Sequence, residues 1–373
     1  MSTVFGERGI AHSAIGARTS VAGATTVPIK WFAVLGASWL AFQLYVWGSW
    51  ILSPDFALVQ APPGDEERRF WIKSFELCSI GIAIWCLYHY TFKPLIRDRR
   101  LTTDGLIIGV MPWLCFQDPF GLYAAPWWNY SAHFTSFGNW MNQVPGAIAP
   151  NAHFIPEPIF AVSTFYVYLL GIPLLVILAA MRAWKRRYPT SSPMTIFMVG
   201  IGAGFIYDVI IEGLGCQVGI WAFTGAIREY SIFGGSWNQY PLYEMVFWGG
   251  MSGLLANVMY WTNDKGQTFA ERGVEKVKTS PAGKGLLRYL AILGVFQSIL
   301  FVTYSMPIQF FAMNGDGVPE NTPAHLRTGC GEGSAYACIE PGMPINRVGQ
   351  RLDGQPGMVV SPDMTLIESP RKH

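Results

Sequence analysis

Seven long apolar runs constrain this chain more than any other feature of its sequence. A bilayer core about 30 Å thick requires about 20 mostly apolar residues per helix. Only 13% of the residues are charged, compared with roughly 25% in a typical soluble domain. The sequence therefore predicts an all-α, polytopic membrane helix bundle with about seven transmembrane helices. These helices are expected near residues 30–52, 70–92, 104–124, 158–181, 194–214, 241–262 and 286–311.

The lysine and arginine content of the loops predicts the orientation, because cytoplasmic loops carry an excess of these residues. The loop 125–157 contains neither residue type, and the loop 215–240 contains only Arg228, so both are expected outside. The loop 53–69 is an exception, since it is predicted outside but carries two arginines. We therefore predict a multi-pass plasma-membrane protein with a cytoplasmic N-terminus. Three loops rich in Lys and Arg are expected to face the cytoplasm: 93–103, 182–193 and 263–288.

The two ends of the chain differ in composition from the bundle. Residues 1–28 are rich in Ser, Thr, Ala and Gly and are predicted to form a disordered cytoplasmic tail. The bundle is expected to span 29–312, and 313–373 is predicted to be an extracytoplasmic tail rich in Gly and Pro. Within that tail, Cys330 and Cys338 either close a disulfide loop in an oxidising compartment or remain free thiols.

Carboxylates collect at one depth of the predicted bundle. A charged group in hydrocarbon costs about 2.5–3.5 kcal/mol on insertion scales and usually faces a bundle interior or a wet cavity. Asp208 and Glu212 are four residues apart and share one helix face. Arg228 is either a counter-charge for these acids or a solvated loop residue. With the predicted orientation, six acids from five spans lie in the outer half: Glu76, Asp118, Glu157, Asp208, Glu212 and Glu244. The alternative for Glu157, Glu212 and Glu244 is an interfacial position at which they cap helices or contact water.

Aromatic residues are dense in the same layer. Part of this set fits the interfacial belt that Trp and Tyr form in membranes. The loop 125–157 is nevertheless long for a membrane connection, and loops of this length are more often functional than not. We interpret it as a lid over the outer mouth of the bundle. The residues expected to bind substrate are Tyr207, Trp127, Trp128, His133, Asn139, Trp237, Glu244 and Glu157.

Carboxylic acids between aromatic walls fit acid–base chemistry on a lipophilic small molecule. A protonated carboxyl serves as a general acid, and aromatic faces stabilise a developing cation. This inventory predicts cyclisation, dehydration or isomerisation through an oxocarbenium-like state. Asp118 or Asp208 is the expected general acid, with Glu212 and Glu76 as coupled base or relay. A proton-coupled transporter of small molecules or lipids and a non-catalytic membrane scaffold remain as alternatives.

The sequence lacks the residues that several other kinds of chemistry require. The six histidines show no paired spacing, so no metal site is predicted, and no cofactor is expected. The last apolar run contains no lysine for a retinal Schiff base, and no phosphate-binding glycine loop or nucleophile elbow occurs. A net charge of +2 without a basic face excludes a nucleic-acid footprint. The expected partners are therefore a lipophilic small-molecule substrate and membrane lipids.

Four stretches together resemble a known family. The first run ends in FQLYVWGSWILSPDF, the third contains FQDPFGLY, the lid contains WWNYSAHFTSFGNW, and the fifth contains YDVIIE. Over roughly residues 30–312 this layout is similar to that of the AveC-like spirocyclases. The resemblance implies an integral membrane protein related to one that acts in macrolide polyketide biosynthesis. That namesake forms a spiroketal from a dihydroxyketone intermediate and controls a dehydration step, but the resemblance leaves the substrate and the catalytic residues of this chain open.

Overall fold

The computed structural model of the protein describes residues 29–59, 61, 64–148 and 155–327. The described part is mostly helical with few strands, which confirms the all-α prediction. The predicted tail 1–28 and the cysteine pair Cys330 and Cys338 lie outside the described residues. The long helical segments are α1 (Ile29–Ile51), α2 (Glu66–Asp98), α3 (Thr103–Leu122), α4 (Ile159–Arg187), α5 (Pro193–Val218), α6 (242–260) and α7 (Pro281–Asn314).

Within the described ranges, six of these helices are long and apolar enough to cross a membrane. The exception is α6, which is helical where the sequence predicts a span but carries Glu244, Asn257 and three glycines. These residues lower its mean hydropathy. The chain is thus a membrane protein by the length and composition of six helices, while the seventh crossing and the cytoplasmic N-terminus stay predictions.

Short polar residues and prolines set the helix starts. The side chain of Ser192 accepts a hydrogen bond from the backbone N–H of Thr195 at the start of α5, which continues with Pro193. Ser280 and Pro281 begin α7 in the same way. A capping hydroxyl satisfies a free backbone donor, and proline at the first helical position loses no hydrogen bond. The residues before the apolar runs therefore define where α5 and α7 begin.

The central helix α3 changes character along its length. All but two of its residues from 105 to 122 are buried. Its first part, Thr103–Leu114, is α-helical, and its second part, Cys115–Leu122, is a 3₁₀ helix that contains Pro119. Proline has no N–H to donate and disfavours a regular α-helical continuation. Asp118 therefore lies on an irregular, buried end of α3.

Glycines allow two close helix crossings. A Cβ on Gly294 of α7 would come within 2.5 Å of the backbone nitrogen of Gly36 on α1. A Cβ on Gly204 of α5 would overlap the carbonyl oxygen of Gly249 on α6, and a Cβ on Gly249 would lie 2.9 Å from the Asp208 Cβ. Small residues of this kind let helix backbones approach closely in membranes. The α5–α6 crossing brings Asp208 directly against α6.

Four helices contain a π-helical turn. These turns are Leu87–Phe92 in α2, Tyr166–Leu170 in α4, Met245–Gly249 in α6 and Phe301–Ser305 in α7. Such turns are rare, and they occur frequently at functional sites. The last three lie at the same end of the bundle as Asp118, as the contacts below show.

Loops cover that end of the bundle. Strand β1 (Asn129–Tyr130) pairs antiparallel with β2 (Trp221–Ala222), and β3 (Ser231–Ile232) pairs with β4 (Tyr240–Pro241). The pairing of β1 with β2 joins the predicted lid to the loop after α5. The segment 315–327 lies on both, with the Ala132 N–H donating to the His325 carbonyl at 2.7 Å. We call residues 123–148, 219–241 and 315–327 the cap. Shorter 3₁₀ turns occur at Met141–Gln143, Arg228–Tyr230, Val274–Lys276 and Ala324–Leu326.

Candidate active site

A small cavity lies between the capped ends of the helices and the cap. Its volume is about 60 Å³, which is room for a few water molecules. Three acids line it, namely Asp118 of α3, Glu212 of α5 and Glu244 of α6. We call it the carboxyl cavity. Most of its remaining wall is aromatic: Trp128, Tyr130, Phe165, Tyr166, Tyr207, Trp221, Phe223, Trp248 and Tyr304.

Two tyrosines hold Asp118. The Tyr130 hydroxyl donates to Oδ2 at 2.9 Å, and the Tyr166 hydroxyl donates to Oδ1 at 2.8 Å. The side chain of Glu157, in the loop just before α4, is buried near Asp118. Burial, followed by the nearby Asp118 charge, raises the pKa of the Glu157 carboxyl well above its ordinary value. Because burial and a nearby carboxylate both disfavour ionisation, Glu157 favours its protonated form.

Asp208 and Glu212 occupy successive turns of α5, but their carboxyl groups have different surroundings. Glu212 faces the cavity, and no hydrogen bond to its carboxyl is formed within the described ranges. Asp208 is fully buried behind it and accepts a hydrogen bond from the Tyr240 hydroxyl at 2.5 Å. Burial and the Asp208 charge raise the pKa of the Tyr240 hydroxyl, so Tyr240 remains a donor. The sequence predicts one shared helix face for these two acids, but only Glu212 lines the cavity.

Glu244 enters the cavity from the first turn of α6. Its Oε1 accepts a hydrogen bond from the Tyr304 hydroxyl at 2.7 Å, and its Oε2 has no partner among the described residues. Tyr304 lies in the π turn of α7, Trp248 in that of α6, and Tyr166 in that of α4. Three of the four π turns therefore direct aromatic side chains into the carboxyl cavity.

The cavity acids have no basic partner in the described part of the chain. The ion pairs formed there involve other acids, such as Glu271 with Arg288 at 2.7 Å. No group of three or more His, Cys, Asp or Glu side chains in the described ranges is arranged to hold a metal ion. In the described part of the chain, Asp118 and Glu244 therefore have tyrosine hydroxyls, and no cations, as hydrogen-bond donors.

Glu76 lies apart from the cavity acids. It accepts hydrogen bonds from the Thr135 backbone N–H at 3.0 Å and hydroxyl at 2.9 Å, and it pairs with Lys73 at 3.1 Å. It is buried but does not line the carboxyl cavity. Its contacts fasten the lid segment of the cap to α2.

Four other predicted binding residues support the cap. His133 stacks on His325 with ring centroids 5.0 Å apart. The Asn139 side chain accepts a hydrogen bond from the Met141 N–H at 2.7 Å, which stabilises a turn. Trp127 stacks on Phe223, and the Trp237 N–H donates to Asn321. Tyr207 and Trp128, in contrast, line the cavity itself.

Arg228 contacts the segment 315–327. Its backbone N–H donates to Asp316 at 2.7 Å, and its guanidinium donates to the Gly317 carbonyl at 3.2 Å. Both contacts attach this segment to the loop after α5. Of the two roles considered for Arg228, its exposed position in a loop fits the solvated loop residue, and no ion pair with a cavity acid is formed in the described ranges.

Sequence reasoning did not single out Tyr130, Tyr166 or Tyr304 as partners of the acids. Their partners are distant along the chain, 48 residues for Tyr166 and 60 for Tyr304. Buried tyrosine hydroxyls usually find a hydrogen-bond partner. The sequence feature that could have indicated this network is therefore the presence of Tyr166 and Tyr304 within long apolar runs.

The fold and cavity define a helical membrane protein with an acid-lined, aromatic site under a loop cap. Residues 98–327 match the model of the spirocyclase AveC-like family. Because the match covers more than half of the chain, the protein belongs to the AveC-like spirocyclase family, as the sequence resemblance indicated. The matched region contains every residue that lines the carboxyl cavity, whereas Glu76 lies before it. Neither the curated proteins nor the solved structures contain a significant match to this chain.

Proposed function

We propose that the protein is an integral membrane cyclase or dehydratase of the acid–base type. Its substrate is a lipophilic, polyketide- or lipid-like ketone carrying hydroxyl groups, and its location is the plasma membrane. The observation that carries this proposal is the convergence of Asp118, Glu212 and Glu244 on one aromatic-walled cavity. Membership of the spirocyclase family supports the same reaction class.

The hydrogen bonds suggest separate roles for two of the acids. Both oxygens of Asp118 accept hydrogen bonds from tyrosine hydroxyls, so this carboxyl is oriented as an acceptor. Glu212 faces the cavity without a hydrogen-bond donor in the described part of the chain. We assign Glu212 as the proton donor and Asp118 as the proton acceptor. Glu244, held by Tyr304, contributes a further acceptor in the cavity.

The reaction then proceeds by general acid–base steps. One substrate hydroxyl adds to the ketone carbon and gives a hemiketal. Glu212 donates a proton to the hemiketal hydroxyl, the carbon–oxygen bond breaks, and water leaves. The resulting oxocarbenium ion lies beside Asp118 and aromatic faces, which stabilise positive charge. The second hydroxyl attacks this carbon and gives its proton to Asp118, and that proton returns to Glu212 through cavity water. One dihydroxyketone thus gives one spiroketal and one water.

A comparison of metabolites tests the proposal and identifies the substrate in the same experiment. The native host would be compared with an in-frame deletion complemented by wild type, Asp118→Asn, Glu212→Gln or Asp104→Asn. Asp104 is the matched control, because it is an exposed acid at the opposite end of α3. We expect the deletion to accumulate a compound with the mass of the product plus one water, which wild type and Asp104→Asn clear.

Purified protein in nanodiscs would then be assayed on the accumulated compound. Loss of a general acid or base should lower kcat by roughly 10²- to 10⁴-fold, while binding of the compound to Asp118→Asn and Glu212→Gln persists. Conversion by both variants at the wild-type rate would refute the assigned chemistry. If the deletion changes no dehydrated metabolite but abolishes proton-linked solute uptake, the protein is a transporter. If neither readout changes, the scaffold alternative stands.

A further inference from the structure

A second and much larger space lies on the side of the bundle, between α1 and α7. It is an apolar groove of about 750 Å³, compared with about 60 Å³ for the carboxyl cavity. The cavity alone is too small for a substrate that carries an alkyl chain, since ligand sites typically measure about 300–1,000 Å³. Residues from both helices and from the cap line the groove, among them Trp39, Phe42, Phe301, Val302, Val144 and Pro145.

The groove and the carboxyl cavity lie on opposite sides of one thin wall. Phe120 lines the groove, and Asp118, two residues earlier on the same 3₁₀ helix, lines the cavity. Ser305 lines the groove, and its neighbour Tyr304 lines the cavity. The rings of Phe120 and Phe301 stand edge to face with centroids 6.4 Å apart. The two spaces are therefore separated by about one layer of side chains.

This wall consists of backbone that lacks the regular α-helical hydrogen-bond pattern. On one side it is the 3₁₀ end of α3, and on the other side it is the π turn of α7. Side chains connect the two, with the Gln309 amide donating to the Phe120 carbonyl at 2.8 Å and the Ser305 hydroxyl donating to the Gln117 side chain at 3.1 Å. Side-chain bonds of this kind can be exchanged without unfolding a helix. The wall is thus the place where the two spaces can join.

We infer that the groove binds the hydrocarbon body of the substrate, whose oxygenated end passes between Phe120 and Phe301 into the carboxyl cavity. The inference rests on the proposed function for the identity of that end. The proposed ligand is a long-chain, mainly aliphatic hydroxyketone that enters sideways from the membrane. We assign the groove to the substrate and not to a phospholipid chain, because Phe120 and Ser305 of its lining lie next to the cavity residues Asp118 and Tyr304.

Photolabelling tests this inference directly. The probe is a synthetic dihydroxyketone with a long alkyl chain and a diazirine at the chain end, added to the full-length protein in nanodiscs. We expect mass spectrometry to find the label on groove residues of α1 and α7. Ser38, an exposed residue of α1 that lines the groove, provides the blocking variant Ser38→Trp. Its exposed neighbour Ala37 does not line the groove, so Ala37→Trp is the matched control for added bulk.

Ser38→Trp should reduce groove labelling and raise KM about tenfold or more with kcat unchanged, whereas Ala37→Trp should behave as wild type. Labelling of Asp118→Asn should equal that of wild type, because binding does not require the acid. Groove labelling without conversion would therefore count against the proposed function alone. Conversion with an unlabelled groove and an unchanged KM in Ser38→Trp would overturn the inference alone. It is also overturned if a phosphatidylcholine carrying the same diazirine labels the groove and the dihydroxyketone does not displace it.

Discussion

Acidification should release the segment 315–327 from the rest of the cap, because His325 is buried as a neutral ring. Its side chain stacks on His133, shares a hydrogen bond with Ser131 at 3.1 Å, and is 3% exposed. Burial, then His133 and Arg68, lowers the pKa of His325 from 6.5 to about 3, and Asp65 opposes this shift. Burial likewise lowers the pKa of His133, with Arg68 and Arg69 acting in the same direction and the acids Asp65 and Glu66 against it.

The sign of the effect follows from proton uptake. A released His325 binds a proton as the pH falls below 6.5, whereas the attached ring stays neutral down to about pH 3. The stabilisation is thus complete above pH 6.5 and declines by about 1.4 kcal/mol per pH unit as the pH falls. Lowering the pH from about 7.5 to about 4.5 should decrease the stabilisation contributed by His325 alone by about 2.7 kcal/mol, which is roughly 100-fold in the opening equilibrium.

Hydrogen exchange of peptides covering 315–327, corrected for the intrinsic pH dependence of exchange, measures this equilibrium in nanodiscs. His325→Phe keeps an aromatic ring against His133 but cannot titrate, so its opening should change about 100-fold less than that of wild type. His89 is exposed on α2 and stacks on Trp85, so His89→Phe is the matched control and should keep the wild-type response. Equal pH responses of His325→Phe and wild type would refute the reasoning.

Two further substitutions separate cap stability and helix packing from chemistry. Glu76→Gln removes the charge that accepts the Thr135 hydrogen bonds, so it should loosen the lid by about 1–3 kcal/mol in hydrogen exchange and leave kcat within a few fold. A loss of kcat like that expected for the cavity acids would instead make Glu76 a relay. Gly204→Ala would place a Cβ against the Gly249 carbonyl, so it should lower stability by about 1–3 kcal/mol in thermal unfolding. Gly202→Ala should not lower stability, because the space around Gly202 is open. Equal melting temperatures of the two variants would argue against a tight α5–α6 crossing.

The sequence predicted the helices well because membrane spans need long apolar runs, and each of the seven runs coincides with a helix in the described part. The helix α6 is not among the six that are long and apolar enough to cross a membrane, because it carries polar residues such as Glu244 and Asn257, so its crossing stays a prediction. Depth along the helices suggested that Asp118, Glu212 and Glu244 lie at one level, and the structure brings these three to one cavity. Depth alone does not give the direction of a side chain. Glu76 has a similar predicted depth but faces Thr135.

The tyrosines of the site illustrate a different limit. Tyr166 and Tyr304 lie in π turns, and helical periodicity of 3.6 residues assigns faces wrongly beyond such a turn. No pattern in the local sequence marks where an extra residue enters a helix. The pairs formed by Asp118 with Tyr166 and by Glu244 with Tyr304 therefore required the three-dimensional structure.

The π turns also bear on how a family of this kind can change its substrate. An α-helix advances about 100° per residue, and a π turn accommodates one additional residue within it. Deleting one residue from Phe301–Ser305 would remove this additional residue and restore a continuous α-helix, while the helical segments on either side keep their facing. The change in side-chain direction would be confined to the turn that carries Tyr304, while the lipid-facing surface outside the turn would stay unchanged. Single-residue insertions and deletions at these three turns can thus reshape the reaction chamber while the outer surface of the bundle keeps its fit to the membrane.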